Sequence, residues 1–261
     1  MKKDYIRKDN ENISEIEFIE KYWTDIWNNQ GDIEKKIRKI HSKPEFKIME
    51  PYLNEGKSNF RVLDGGCGLG DWTVYLNKSG YNIVGVDISS DVIAKLKKYF
   101  PNVSFQVADI RKTNFPDTSF DMYFSWGVFE HFEEGLQPCI KEAMRLLKPG
   151  GILLISVPSD NLRHSILGIF KKIIKTPNKN GERFYQWRLD RFELSRELSL
   201  AGFIVEKSKL IHKRQGILRC LHHELHLPYE WFITKALSVV LTPFIPSSFI
   251  AHMLITVARK P

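Results

Sequence analysis

The 261-residue chain is 43% hydrophobic and carries a formal net charge of +8. That is enough apolar mass for one core, and a basic balance that suits an anionic partner without choosing among phospholipid, phosphorylated substrate or nucleic acid. Cys67, Cys139 and Cys220 are widely spaced and odd in number, which suggests neither a disulfide framework nor a zinc site, and the charged start through Arg7 and Lys8 lacks the apolar run of a secretory signal. A reducing cytoplasm is the expected compartment.

In chain order, residues 1–13 are polar and read as a loose arm. Ile16, Ile19, Trp23 and Trp27 recur at helical spacing, with Gly31 as the stop, and a second helix is expected around Pro44 to Leu53. The stretch from Asn59 to Trp72 organises the rest of the chain. Phe60 to Leu63 is a short β-type run ending in Asp64, then Gly65, Gly66, Gly68 and Gly70 crowd into six residues before the pattern turns amphipathic. A strand, a tight turn and a helix are predicted, with free backbone N–H groups facing a nucleotide-like ligand.

The acids around the turn decide which ligand. A dinucleotide fingerprint counted from Gly66 and Gly68 needs glycine at position 71, where Asp71 stands, and carboxylates repel a pyrophosphate. A cationic head group fits better. The run Val62-Leu63-Asp64-Gly65-Gly66-Cys67-Gly68-Leu69-Gly70 resembles the first motif of the seven-strand S-adenosylmethionine-dependent methyltransferases. The resemblance implies an α/β, Rossmann-like doubly wound sheet whose last strand is antiparallel, with S-adenosylmethionine as cofactor. Residues 1–58 are then an arm and cap helices, and 59–261 the catalytic domain, with insertions at 158–189 and 213–249.

Further landmarks lie downstream. Asn82 to Val86 is a strand ending in Asp87, the expected ribose anchor with Ile88 beside it; the alternative is a helix N-terminal charge. Val103 to Val107 is a third strand, after which Asp109 and Ile110 stand where the family holds adenine, or where a plain loop cap would sit. Met122 to Ser125 is a fourth strand, and Ser125 and Trp126 face the reacting centre by the same resemblance. Glu130-His131 matches an acid–histidine pair of the small-molecule and lipid branch, including ubiquinone-type enzymes. His131 is the candidate base for a hydroxyl acceptor, with loop orientation as the alternative and Glu130 beside the substrate. Gly127 occupies the position of a metal-holding carboxylate, so no metal is expected. The Asn/Asp-Pro-Pro-aromatic run of nucleic-acid amino-methyltransferases is missing, which argues against base methylation.

Ile140 to Leu147 gives a helix face and Ile152 to Val157 a fifth strand. Asp190 with Glu193 forms a capping-box pattern for a helix ending at Gly202. A sixth strand starts at Phe203 and the last covers His252 to Ala258. The strand directions that the resemblance implies bring both insertions out at the carboxyl edge, where they are expected to cover the acceptor. In the first, Ile166 to Lys175 has one apolar and one lysine-rich face, as an interfacial membrane helix or a lid helix does. In the second, 231–250 is apolar but interrupted by Lys235, Pro243 and Pro246, too broken to span a bilayer. Membrane contact through 163–175 and 231–250 is therefore an expectation, at the inner membrane face. Tyr22, Trp23, Tyr185 and Trp187 are candidate acceptor-lining residues or core aromatics. His222-His223-Glu224-Leu225-His226 lacks H-E-x-x-H, and Arg183 to Arg188 is read as pocket rim rather than an RNA platform.

The expected reaction is methyl transfer to a small hydrophobic or lipid-linked acceptor. A soluble enzyme for a sugar or other polar metabolite and a catalytically silent scaffold are the rivals.

Overall fold

The computed structural model describes residues 1–7, 13–28, 33–53, 59–164 and 182–261. The amphipathic stretch expected over 166–175 lies outside the described residues, as does the Gly31 stop. In chain order the strands are β1 (Lys2–Arg7), β2 (Arg61–Gly65), β3 (Asn82–Asp87), β4 (Ser104–Val107), β5 (Phe120–Trp126), β6 (Leu147–Pro158), β7 (Glu182–Arg188), β8 (Ile204–Ile211) and β9 (Met253–Arg259). The helices are α1 (Glu15–Asn28), α2 (Ile33–Arg38), α3 (Pro44–Met49), α4 (Asp71–Lys78), α5 (Ser90–Tyr99), α6 (Gln137–Leu146), α7 (Arg191–Leu200), α8 (Lys213–Leu225), α9 (Phe232–Leu241) and α10 (Ser247–Ile250).

Seven strands form one sheet in the order β4-β3-β2-β5-β6-β9-β8. The pairs among β4, β3, β2, β5 and β6 are parallel, and β9 runs antiparallel to both β6 and β8. This is the α/β, doubly wound arrangement that the family resemblance implies. Alternation along the central strands explains the two packed layers. Leu63, Tyr123, Leu153 and Ile155 meet α6 and α7 through Ile140, Ala143, Leu194 and Leu198 on one face. Val62, Met122, Phe124 and Leu154 meet Ile48, Met49, Trp72 and Leu76 on the other. Because both faces are buried, these strands read as continuous apolar runs.

The amino terminus differs from the loose arm expected. β1 pairs antiparallel with β7 in a separate two-stranded sheet, from Lys2 opposite Arg188 to Arg7 opposite Glu182. Ion pairs hold it: Arg188 to Asp4 at 2.6 Å and Lys2 to Asp160 at 2.7 Å. Short charged strands whose partner lies far along the chain leave no local signal to read. Arg183 to Arg188, expected as an aromatic-rich rim, is the partner strand.

Among the described residues no helix is long and apolar enough to cross a membrane. The expected capping box is formed: Asp190 Oδ1 accepts from the Phe192 and Glu193 N–H groups at 2.8 and 2.9 Å, and Asp190 N–H donates to Glu193 Oε2 at 3.0 Å. Replacing Asp190 with alanine should cost about 1 kcal/mol of stability in urea denaturation. An unchanged midpoint would mean that packing of Leu194 and Leu198 alone holds α7.

Candidate active site

The glycine turn joins β2 to α4 and folds back on β3. Gly66 N–H and Cys67 N–H both donate to the Val86 carbonyl at 2.8 Å, and Gly68 N–H donates to Asp87 Oδ2 at 2.8 Å. Gly66 and Gly68 have φ of 79° and 51°. A side chain at Gly68 would press on the Trp27 ring at 2.8 Å, and one at Gly66 on Val128. Glycine is therefore required both by backbone angle and by space.

A cavity of about 540 Å³ opens beyond the carboxyl ends of β2, β3, β4 and β5. Asp64, Gly66, Cys67, Gly68, Asp87, Ile88, Asp109, Ile110, Trp126, His131 and Trp23 all line it. Parallel strands ending at one edge bring together residues scattered over more than a hundred positions.

Two buried carboxyls set its electrostatics. Asp64 receives a 2.7 Å hydrogen bond from Thr73 Oγ1, yet burial, followed by the nearby Asp71 and Asp87 charges, pushes its pKa up to about 8. Burial also raises Asp87, against the Ser89 and Gly68 N–H groups that favour its charged form. A cation entering here would relieve both penalties. Asp109 is bound more tightly than expected: Arg111 donates to it from the backbone at 2.9 Å and from its guanidinium at 2.7 and 3.1 Å. The carboxylate that caps its own loop thus also lines the cavity.

Several expected residues support the cavity from behind. Gly65 and Gly70 are outside its lining, as is Ser125, whose hydroxyl donates to the Gly65 carbonyl at 2.6 Å and ties β5 to β2. Tyr22, Tyr185, Trp187 and Glu130 also stand outside the lining. Tyr22 packs edge-on against both Trp23 and Tyr185, and Trp187 Nε1–H donates to the Phe132 carbonyl at 3.0 Å. Their aromatic mass fixes the loop that carries His131.

His131 is buried against Trp23 and Tyr185, with ring centroids 4.9 and 5.1 Å away. Its Nδ1 lies 2.8 Å from the Tyr185 carbonyl, which can only accept, so Nδ1 carries the proton and Nε2 holds the lone pair. Burial lowers its pKa to about 4, leaving the ring neutral near pH 7. Glu130 Oε1 lies 4.0 Å from His131 Nε2, and burial raises the Glu130 pKa to about 8. Among the described residues, the buried Glu130 Oε2 and Trp126 Nε1 have no hydrogen-bond partner.

Sequence reasoning missed Ile19, Trp27, Lys36 and Lys43 in the lining. Lys43 Nζ reaches Asp71 Oδ2 at 3.2 Å and lies 5.2 Å from the Trp72 ring centroid. No local pattern marks these lysines, because helices before the motif deliver them. Among the described residues no group of three or more histidine, cysteine or acidic residues could hold a metal. In the histidine-rich segment, His222 Nδ1 pairs with the Leu227 carbonyl at 2.9 Å, and His222 and His223 pack on Tyr229.

Comparison with known proteins places this geometry. A methyltransferase-domain family matches residues 62–151. An uncharacterized methyltransferase of Synechocystis is 32% identical over 154 residues, covering 58% of this chain and 69% of that protein. A 2-methyl-6-phytyl-1,4-hydroquinone methyltransferase of the same organism is 31% identical over 151 residues, covering 53% of this chain and 46% of that protein. The chain spans about half the length of several curated relatives it matches. In fold it is similar to a crystal structure of an S-adenosylmethionine-dependent methyltransferase from Archaeoglobus fulgidus, with a TM-score of 0.58, 18% identity, and coverage of 92% of this chain and 99% of that one. Sequence likeness to the first of these, over more than two thirds of its length, makes the assignment: the chain belongs to the S-adenosylmethionine-dependent methyltransferases.

Proposed function

We propose that the chain transfers the methyl group of S-adenosylmethionine to an oxygen or carbon of a small hydrophobic or lipid-linked acceptor. The donor fits the residues present. Its ammonium and sulfonium charges meet the two buried carboxyls, the glycine turn leaves room for close backbone approach, and the orphaned Trp126 N–H awaits an acceptor. In this reading Asp64 and the glycine turn hold the methionine end, with Lys36 and Lys43 as the cationic complement of its carboxylate. Asp87 takes the ribose hydroxyls. Asp109 accepts from the adenine amine, and Ile88 and Ile110 flank the ring.

When bound, the donor supplies the electrophilic methyl group. The chain has to align the acceptor with it, exclude water and take a proton. Trp23, Trp126, Phe132 and His131 give the acceptor end an aromatic wall. An attacking hydroxyl becomes strongly acidic as its bond to carbon forms, so the neutral, weakly basic Nε2 of His131 suffices as proton acceptor. Glu130 Oε1 stands 4.0 Å from that nitrogen, and an imidazolium formed there would favour the ionised form of this acid, whose pKa burial raises to about 8 in the free protein.

The observation that carries the acceptor class is the outer face of the segment between β8 and β9. Trp231, Phe232, Ile233, Val239, Val240 and Phe244 are all exposed there, Phe232 by 82% and Phe244 by 78%. An apolar patch of this kind on the rim of a ligand-binding edge suits a membrane surface from which a greasy acceptor is drawn. The hydroquinone-methyltransferase name among the relatives agrees with that class.

Donor binding at pH 7 should release a proton, because Asp64 is protonated below about pH 8 in the free protein and must ionise to meet a cation. Affinity should then rise as pH increases towards 8. Calorimetry in buffers of different ionisation enthalpy reads the release, and an Asp64→Asn protein should lose it; release that persists in that variant would move the linkage to another acid. Replacing His131 with alanine should lower the methyl-transfer rate by about 10² to 10⁴ with donor affinity unchanged. A loss under about tenfold would leave the ring an orienting group. Labelled methyl transferred into a cell extract should partition into organic solvent; label found only in water would replace the lipidic acceptor by a polar metabolite.

A further inference from the structure

A second cavity, of about 270 Å³, lies on the other side of β7 from the His131 loop. Arg163, Arg188 and Arg219 line it, together with His164, His223, His252, Asp4 and Glu224. Two of the arginines are partly matched: Arg188 pairs with Asp4 at 2.6 Å and Arg163 with Glu224 at 2.7 Å. Each nevertheless leaves its Nε buried and without a hydrogen-bond partner among the described residues. Arg219, half-buried on α8, makes no hydrogen bond or ion pair among the described residues. The histidines add donors but no charge. Burial first, then Arg188 and Arg163, holds the His164 pKa down at about 3; burial first, then Arg219, does the same for His252. The cavity therefore carries more cationic charge and more N–H donors than its carboxylates satisfy, and buried donors without partners are costly.

Its position ties it to the reaction. Tyr185 offers its carbonyl to His131, while the next residue, Gln186, and Arg188 line the second cavity. Strand alternation thus puts one face of β7 behind the transfer site and the other on the arginines. Arg219 is close enough to the Tyr185 hydroxyl to oppose the rise that burial imposes on it. The same helix, α8, packs against α9, whose Phe232, Ile233, Val239 and Val240 are exposed. Planar guanidinium groups from three separate elements match the several acceptor oxygens of a phosphate better than the two of a carboxylate.

We infer that this cavity is a phosphate-binding subsite for the acceptor, so that the substrate is a phosphate ester whose apolar part reaches the His131 pocket. The inference rests on the methyltransferase reading and names the substrate class of the same site. Arg219 is its unpaired cation among the described residues, and the residue to change.

The test uses the full chain loaded with S-adenosylhomocysteine and titrated with inorganic phosphate. Binding at one site, weakened at least tenfold by Arg219→Gln while affinity for S-adenosylhomocysteine stays within twofold, is the expected result. No phosphate binding, or binding indifferent to Arg219→Gln, overturns the subsite. A second arm separates an acceptor head group from a free anion: treating the cell extract with phosphatase should cut methyl acceptance at least tenfold. Phosphate binding together with undiminished acceptance by the treated extract overturns the substrate assignment. Loss of S-adenosylhomocysteine binding by the unaltered chain would instead refute the donor reading, and the two failures are read separately.

Discussion

The constraint on which the rest depends is the burial of two carboxyls beneath a turn made of backbone. Asp64 is the penultimate residue of β2 and Asp87 ends β3; Gly68 pins the turn between β2 and α4 to Asp87, and Thr73 of α4 bonds Asp64. Gly68 N–H donates to one Asp87 oxygen and Ser89 N–H to the other, which orients the acid while leaving each oxygen a further lone pair. Burying two like charges is unfavourable, and the fold tolerates it because hydrogen bonds and raised pKa values absorb the cost until a cation arrives. Binding energy is stored in the free protein as electrostatic imbalance.

Everything that delivers substrate depends on the direction of the strands. Five neighbouring parallel strands end on one edge, so their loops supply Asp64, Asp87, Asp109 and Trp126 without any of these being close in sequence. The antiparallel β9 then turns the chain between β8 and the edge of β6, which places α8, α9 and α10 on that rim. Met253 at the start of β9 and Trp126 on the cavity wall pack against the same buried cluster.

Much of this is legible in the residues. The strand, turn and helix around Gly65 to Gly70, the acid at the end of β3 and the capping box at Asp190 each have a local cause, and local causes leave local patterns. Three features have none. β1 is a polar strand stabilised by pairing with residues about 180 positions away, so nothing near it announces a strand. Lys36 and Lys43 reach the cavity through helix packing, not through a motif. Composition identifies the aromatic set but cannot sort it: Trp23 reaches the cavity, whereas Tyr22, Tyr185 and Trp187 brace the His131 loop from outside. Adjacency to Trp126 draws Ser125 into the expected site, yet strand alternation turns its hydroxyl to the Gly65 carbonyl.

The same sorting explains how a common donor site acquires its own acceptor. In the proposed reading, donor recognition is built from the first half of the chain by the ends of the parallel strands. In the reading proposed above, the anionic end of the acceptor is met by β7 and α8, elements outside the parallel strands, with β7 held to the amino-terminal strand by the pair Arg188 to Asp4. Charge pairs on such a rim cost little to rearrange compared with the buried strands beneath, so substitutions there redirect the substrate while leaving the core intact. In this chain the rim sets Arg188 and Arg219 near the exposed apolar residues of α9, a combination that would suit the proposed acceptor with an anionic end and a greasy one.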